Sequence, residues 1–76
     1  MNLSERHFLQ EIGHRLRELR TVRGLTQAQL AERCELHRTF IGSVERGERN
    51  IAVLNLRVIA RALRVPLSEL MAEEQG

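Results

Sequence analysis

Apolar side chains recur at helical spacing in successive segments of this 76-residue chain, and that period constrains the fold more than any other feature. Phe8, Ile12, Leu16 and Leu19 stand at i, i+4, i+8 and i+11, one stripe of a long helix expected over about Glu5 to Arg23. Ser4 is placed to cap it, Glu5 suits its first turn, and Gly24 stops it. A second, short helix is expected over about Gln27 to Cys34. Thr26-Gln27-Ala28-Gln29 has the form of a capping box, and Leu30, Ala31 and Cys34 make the apolar face. A third runs from about Arg38 to Arg46 and ends at Gly47, a natural residue just beyond a helix. Leu56, Ile59, Ala60 and Leu63 stripe a fourth, over about Val53 to Leu63. Pro66 then opens a short fifth through Leu67, Ser68, Glu69, Leu70 and Met71. One proline and few turn residues argue against a β fold. The expected class is all-α, five helices in a single domain over residues 1–76.

Composition narrows the function. A chain this short supports one domain and buries only about 60% of its unfolded surface. Its single cysteine, Cys34, allows no intrachain disulfide and no cysteine metal cage, and reads as core rather than nucleophile. A lone thiol fits the cytoplasm, the expected compartment. Met1 to Gly13 carries charges throughout, so no signal peptide is expected, and the apolar runs are far too short for a membrane span. An enzyme needs a nucleophile with a base, or a metal cluster. Cys34 and His37 stand three apart without a third partner, His7 and His14 make at most a weak pair, and there is no glycine-rich phosphate loop. No catalysis, cofactor or metal is expected. The acidic Glu73 and Glu74 read as a solvated, frayed tail. The net charge is +2, and all twelve basic residues are arginine, with neither Lys nor Asp present. A GC-rich genome accounts for this as well as function does; functionally, guanidinium groups suit bidentate contacts to phosphate and guanine. Having only Phe8 and Phe40 argues against a stacking platform for single strands.

On a helical wheel the third segment divides cleanly. Phe40, Ile41 and Val44 form an apolar back; Arg38, Thr39, Gly42, Ser43 and Arg46 form a polar front. Gly42 is costly in mid-helix, by about 0.5–1 kcal/mol against Ala, so a front-face glycine suggests close approach of something to the helix. Only Glu35-Leu36-His37 separates the second helix from the third. A short helix, a tight turn and a second amphipathic helix make a helix-turn-helix, here about residues 27–46, the geometry that presents a helix to the DNA major groove.

Residues 12 to 71 resemble the phage-repressor, or Xre-type, helix-turn-helix family. The resemblance is carried by Ile12-Gly13-His14-Arg15-Leu16-Arg17-Glu18-Leu19-Arg20, Gly24-Leu25-Thr26-Gln27-Ala28-Gln29-Leu30-Ala31, Phe40-Ile41-Gly42-Ser43-Val44-Glu45-Arg46-Gly47 and Leu56-Arg57-Val58-Ile59-Ala60-Arg61-Ala62-Leu63. Arg38-Thr39-Phe40-Ile41, and Glu45-Arg46 followed by Arg49-Asn50, are most similar to controller proteins of restriction–modification systems. The resemblance implies a five-helix, phage-repressor-like regulator that binds double-stranded DNA, with RNA polymerase as a further partner left open. It implies base reading by Arg38, Thr39 and Ser43. Thr26 and Gln27 would meet phosphate at a helix N-terminus, Gln27 also bracing the reading helix, while Arg46, Arg49 and Asn50 track the backbone. Arg20 and Glu45 match a structural ion pair. Ala52 departs from the expected Ser or Thr cap of the fourth helix, so Asn50 is a candidate cap instead.

One reading helix sees too few base pairs to find an operator in a genome. A homodimer on a palindrome is therefore expected, built from residues of about 51–71. Ile51, Leu54, Pro66 and Leu67 are the expected centre of the contact, with Arg57 or Arg64 at its rim, unless the long first helix covers them. The competing reading is a protein-interaction module such as an antitoxin, which could use the same fold.

Overall fold

The computed structural model describes residues 2–71; Glu73 and Glu74 of the expected tail lie outside them. Among the described residues there are five helices: α1 (Leu3–Val22), α2 (Gln27–Cys34), α3 (Arg38–Glu45), α4 (Val53–Leu63) and α5 (Leu67–Met71). They pack in a ring: α1 lies against α3 and α5, α2 against α3 and α4, and α4 against α5. Each sends its apolar stripe to one core. Ile12 and Leu16 of α1 meet Leu30, Ala31 and Cys34 of α2, Ile41 and Val44 of α3, Leu56, Ile59, Ala60 and Leu63 of α4, and Leu70 of α5. Phe8 and Leu19, expected in the first stripe, sit half-buried at its edge. Burial pushes the Cys34 thiol above its usual range, which leaves it a poor nucleophile.

The helix starts follow side-chain acceptors. Thr26 and Gln29 form the expected capping box: Thr26 Oγ1 accepts from the Gln29 amide at 3.0 Å, and the Gln29 side chain accepts from the Thr26 amide at 2.9 Å. For α1 the expected cap, Ser4, is wrong. Asn2 holds that place, its Oδ1 accepting from the Glu5 amide at 2.8 Å, so the helix starts two residues earlier than Glu5. Both are good capping residues, and Asn2 also donates to Glu5 Oε1 at 3.2 Å. Asn50 does not cap α4. The cap is Ala52, which offers no side-chain bond.

Four helices end in one backbone device, a residue in the left-handed region followed by a reach back to an earlier carbonyl. Gly24 and Gly47 (φ 69° and 71°) occupy it after α1 and α3; Glu35 and Arg64 (φ 55° and 59°) do so after α2 and α4. The bonds closing it include Leu25 N to Arg20 O, Leu36 N to Ala31 O, Glu48 N to Ser43 O and Val65 N to Ala60 O. The third helix accordingly stops at Glu45, with Arg46 as its cap rather than its last turn. A side chain in this conformation costs about 1–2 kcal/mol, while glycine loses about 0.5–1 kcal/mol through its freer unfolded state. Glu35 is exposed. Glu35→Gly is therefore expected to stabilise the chain by about 0.5–1 kcal/mol, read as a rise of several degrees in the thermal midpoint.

Candidate nucleic-acid interface

The third helix is held from behind by a network centred on Glu45. Arg20 of α1 donates to it twice, Nε to Oε2 at 2.6 Å and Nη2 to Oε1 at 2.9 Å. The third guanidinium nitrogen, Nη1, donates to the Leu25 carbonyl at 2.7 Å, in the turn before α2. Gln27 of α2 donates through Nε2 to Glu45 Oε1 at 3.0 Å. The two charges are withdrawn from water, with side chains 10% and 3% exposed. The hydrogen bond to Glu45 raises the Arg20 guanidinium above its ordinary range, with burial opposing it. Sequence reasoning paired Arg20 with Glu45 and gave Gln27 a bracing role; it missed that one carboxylate serves both, and that Leu25 completes the set.

The same place holds a close approach of α1 to the end of α3. A Cβ built on Gly13 of α1 would stand 2.3 Å from the Val44 carbonyl oxygen and 2.5 Å from that of Glu45. A Cβ on Gly47 would fall 2.6 Å from the Gln10 side chain and 2.8 Å from its Cα. Backbone therefore rests on backbone where α1 crosses the end of α3.

The front of α3 faces solvent. Arg38 and Thr39 are exposed in its first turn, Arg46 just past its end, and Arg49 and Asn50 in the loop beyond. Arg38, Thr39, Gly42 and Arg46 line one shallow depression together with Gln27, so the structure gathers residues from α2 and α3 into a single surface. Gly42 is not the open approach point expected of it. It is buried, with the Gln27 Oε1 and Arg46 Nη1 atoms 3.3 and 3.2 Å from a built Cβ, so the approaching groups are the protein's own. Ser43 is half-buried and its hydroxyl is engaged: it donates to the Phe40 carbonyl at 2.8 Å and accepts from Arg49 Nε at 3.1 Å. Arg49 lies over the Phe40 ring, 5.1 Å from its centroid, which sets the direction of a long side chain. Arg46 pairs with Glu48 at 3.1 Å on the surface, an exposed pair that contributes at most about 1 kcal/mol. At the start of α3, His37 acts as the cap, a role outside the residues usually read as caps in a sequence.

On the far side of α4 the apolar surface is uneven. Leu54 is 70% and Val53 57% exposed, Val58 is partly open and Pro66 is exposed. Ile51 and Leu67 are half-buried and lean on the core. Among the described residues, no group of three or more His, Cys, Asp or Glu could hold a metal ion, and no helix is long and apolar enough to cross a membrane.

A tight-turned helix pair, an exposed polar front and a locked back define a helix-turn-helix reading head. The helix-turn-helix family model matches residues 16–70, and the chain belongs to that family, in its Xre-type branch of DNA-binding transcription regulators. It is 41% identical to control protein C.SmaI of Serratia marcescens over 63 residues, 83% of this chain and 75% of that protein. It is 38% identical to control protein C.BamHI of Bacillus amyloliquefaciens over 60 residues, 78% of this chain and 74% of that one. Among solved structures it is similar to the restriction-modification controller protein C.AhdI from Aeromonas hydrophila, with 47% identity and a TM-score of 0.80, covering 82% of this chain and 94% of that one.

Proposed function

We propose that the chain controls a restriction–modification system by binding a palindromic operator as a homodimer, one α3 helix in the major groove of each half-site. The observation that carries the reading is the first turn of α3, where Arg38 and Thr39 stand exposed on a helix fixed from behind by Arg20, Gln27 and Glu45. The N-terminal residues of a reading helix are the ones that meet base edges. Arg38 suits the guanine O6 and N7 pair, and the Thr39 methyl suits a thymine methyl. Thr26 and Gln27 meet phosphate at the N-terminus of α2, and Arg46, Arg49 and Asn50 follow the backbone. Ser43, its hydroxyl tied to Phe40 and Arg49, serves mainly as the mount of Arg49. Such a protein acts in the cytoplasm, where RNA polymerase is available as a partner, and has no catalytic step.

Selection of bound duplexes from a randomised pool tests this. Wild type should enrich a two-fold symmetric sequence. Arg38→Ala should lose about 1–3 kcal/mol on that sequence and relax the preference at one position per half-site. Arg49→Ala should weaken specific and non-specific binding alike and flatten the salt dependence. An unchanged preference in Arg38→Ala would show that another face reads the DNA.

The pairing surface is the exposed group of Val53, Leu54 and Pro66, continued by the half-buried Ile51 and Leu67. Exposed apolar groups of this kind mark partner surfaces. In sedimentation at micromolar concentration, wild type should run as a dimer and Leu54→Glu as a folded monomer. A wild-type monomer would remove the palindrome from the reading.

A further inference from the structure

We infer that His37 is a positioning residue for base reading, acting on Thr39; this rests on the reading of α3 proposed above. His37 is exposed at the start of α3, immediately before Arg38. Its Nδ1 accepts from the Thr39 backbone amide at 3.2 Å and lies 2.5 Å from Thr39 Oγ1. A backbone N–H can only donate, so Nδ1 carries the lone pair and the neutral ring bears its proton on Nε2. The Thr39 hydroxyl therefore donates to the same nitrogen. That bond restricts the side chain. A threonine inside a helix divides between two rotamers because its hydroxyl can reach a carbonyl one turn back. Thr39 is the second residue of α3, so the residues one turn behind it lie in the turn before the helix, and its hydroxyl turns to His37 instead. With the hydroxyl proton committed, Thr39 meets a base with its methyl group and an oxygen lone pair. One rotamer gives one contact, and the preference at that base pair is sharp. A cap alone would need only the bond to the backbone amide; the bond to Oγ1 ties the cap to a residue of the reading face.

Two variants separate positioning from capping. Glycine is nearly as good as asparagine at a helix cap, so His37→Gly removes Nδ1 with little loss of helix stability. His37→Asn puts an oxygen acceptor at the same bonded distance from the backbone as Nδ1. Binding of each variant is measured on the selected operator and on its single-base-pair changes, with circular dichroism to verify folding. His37→Gly should flatten the preference by about tenfold at the base pair where Thr39→Ala flattens it, and the double variant should be no flatter than Thr39→Ala. His37→Asn should keep the wild-type preference. The inference is overturned if His37→Gly weakens all sequences equally, if it alters a different base pair, or if Thr39→Ala leaves the preference unchanged. A wild type that selects no sequence would instead sink the proposed function, and is seen before any variant is made.

Discussion

Glu45→Ala is expected to lower folding stability by about 3–5 kcal/mol, and Arg20→Ala by a similar amount, while the Arg20→Met/Glu45→Leu double variant loses less than either. The reason is desolvation. Taking Arg20 away leaves a carboxylate that is 3% exposed with Gln27 as its remaining side-chain donor; taking Glu45 away leaves a buried guanidinium with the Leu25 carbonyl. Removing both charges and filling the space with apolar groups removes the penalty. A small domain has about 5–15 kcal/mol in all, so the single variants are best followed by urea unfolding at low temperature. Strictly additive losses in an Arg20→Ala/Glu45→Ala double variant, set beside the two single alanine variants, would show that the two groups do not couple. The pH dependence has a definite sign. A raised Arg20 pKa stabilises the fold at every pH below the ordinary arginine range and is lost only in stronger alkali, so the Arg20→Ala deficit should be flat across roughly pH 6–9. The double variant should regain stability without regaining operator affinity, because the network also orients α3.

Gly13→Ala should be nearly as damaging, by about 3 kcal/mol or more, although Ala is the better helix former by about 1 kcal/mol. The added methyl would meet two carbonyl oxygens and the Glu45 carbonyl carbon, at 2.3, 2.5 and 2.8 Å. These are backbone atoms at the end of α3, so no side chain can swing aside; the helices must separate. Because α3 carries Arg38 and Thr39, the displacement should reduce specific DNA affinity more than non-specific affinity. Equal denaturant midpoints for Gly13→Ala and wild type would mean that α1 and α3 do not touch there.

How much could be read beforehand depended on whether the cause was local. The bounds of α2 and α4 followed from period and punctuation, since Thr26 and Gln29 signal a start and the apolar stripes mark the length. The end of α3 was legible through Gly47. Glu35 and Arg64 were not, because ordinary side chains can occupy a left-handed turn when the bonds behind them compensate. The apolar Leu36 and Val65 that follow them, like Leu25 after Gly24, are the one trace in the sequence. Ser4 and Asn2 are equivalent in type, and the first turn of α1 is exposed from Leu3 to His7, so no burial there marks which of them caps. In the interface, the arginines and Thr39 stood out by type and spacing. Gly13 did not reveal itself, and Gly42 stood out but was given the wrong neighbour, since a helical glycine has meaning only once its neighbour in space is known. His37 escaped because imidazole is seldom thought of as a cap.

The repeated helix ending has a kinetic consequence. Each of those four turns is closed by bonds between residues at most five apart, so each helix can define its own end before meeting a distant partner. The ring of packing then joins α2 to α3 and α4 to α5 as neighbours, α1 to α3 and α2 to α4 across one helix, and α5 to α1 as the long closure. Chains dominated by local contacts fold within microseconds to milliseconds, because little loop entropy is lost before contacts form. The rate should be set by the step that seats Gly13 against α3 and α5 against α1. A newly synthesised copy would thus be folded almost as soon as it is released, and if it acts in the pair proposed above, its delay in acting would be governed by how quickly a second copy is found.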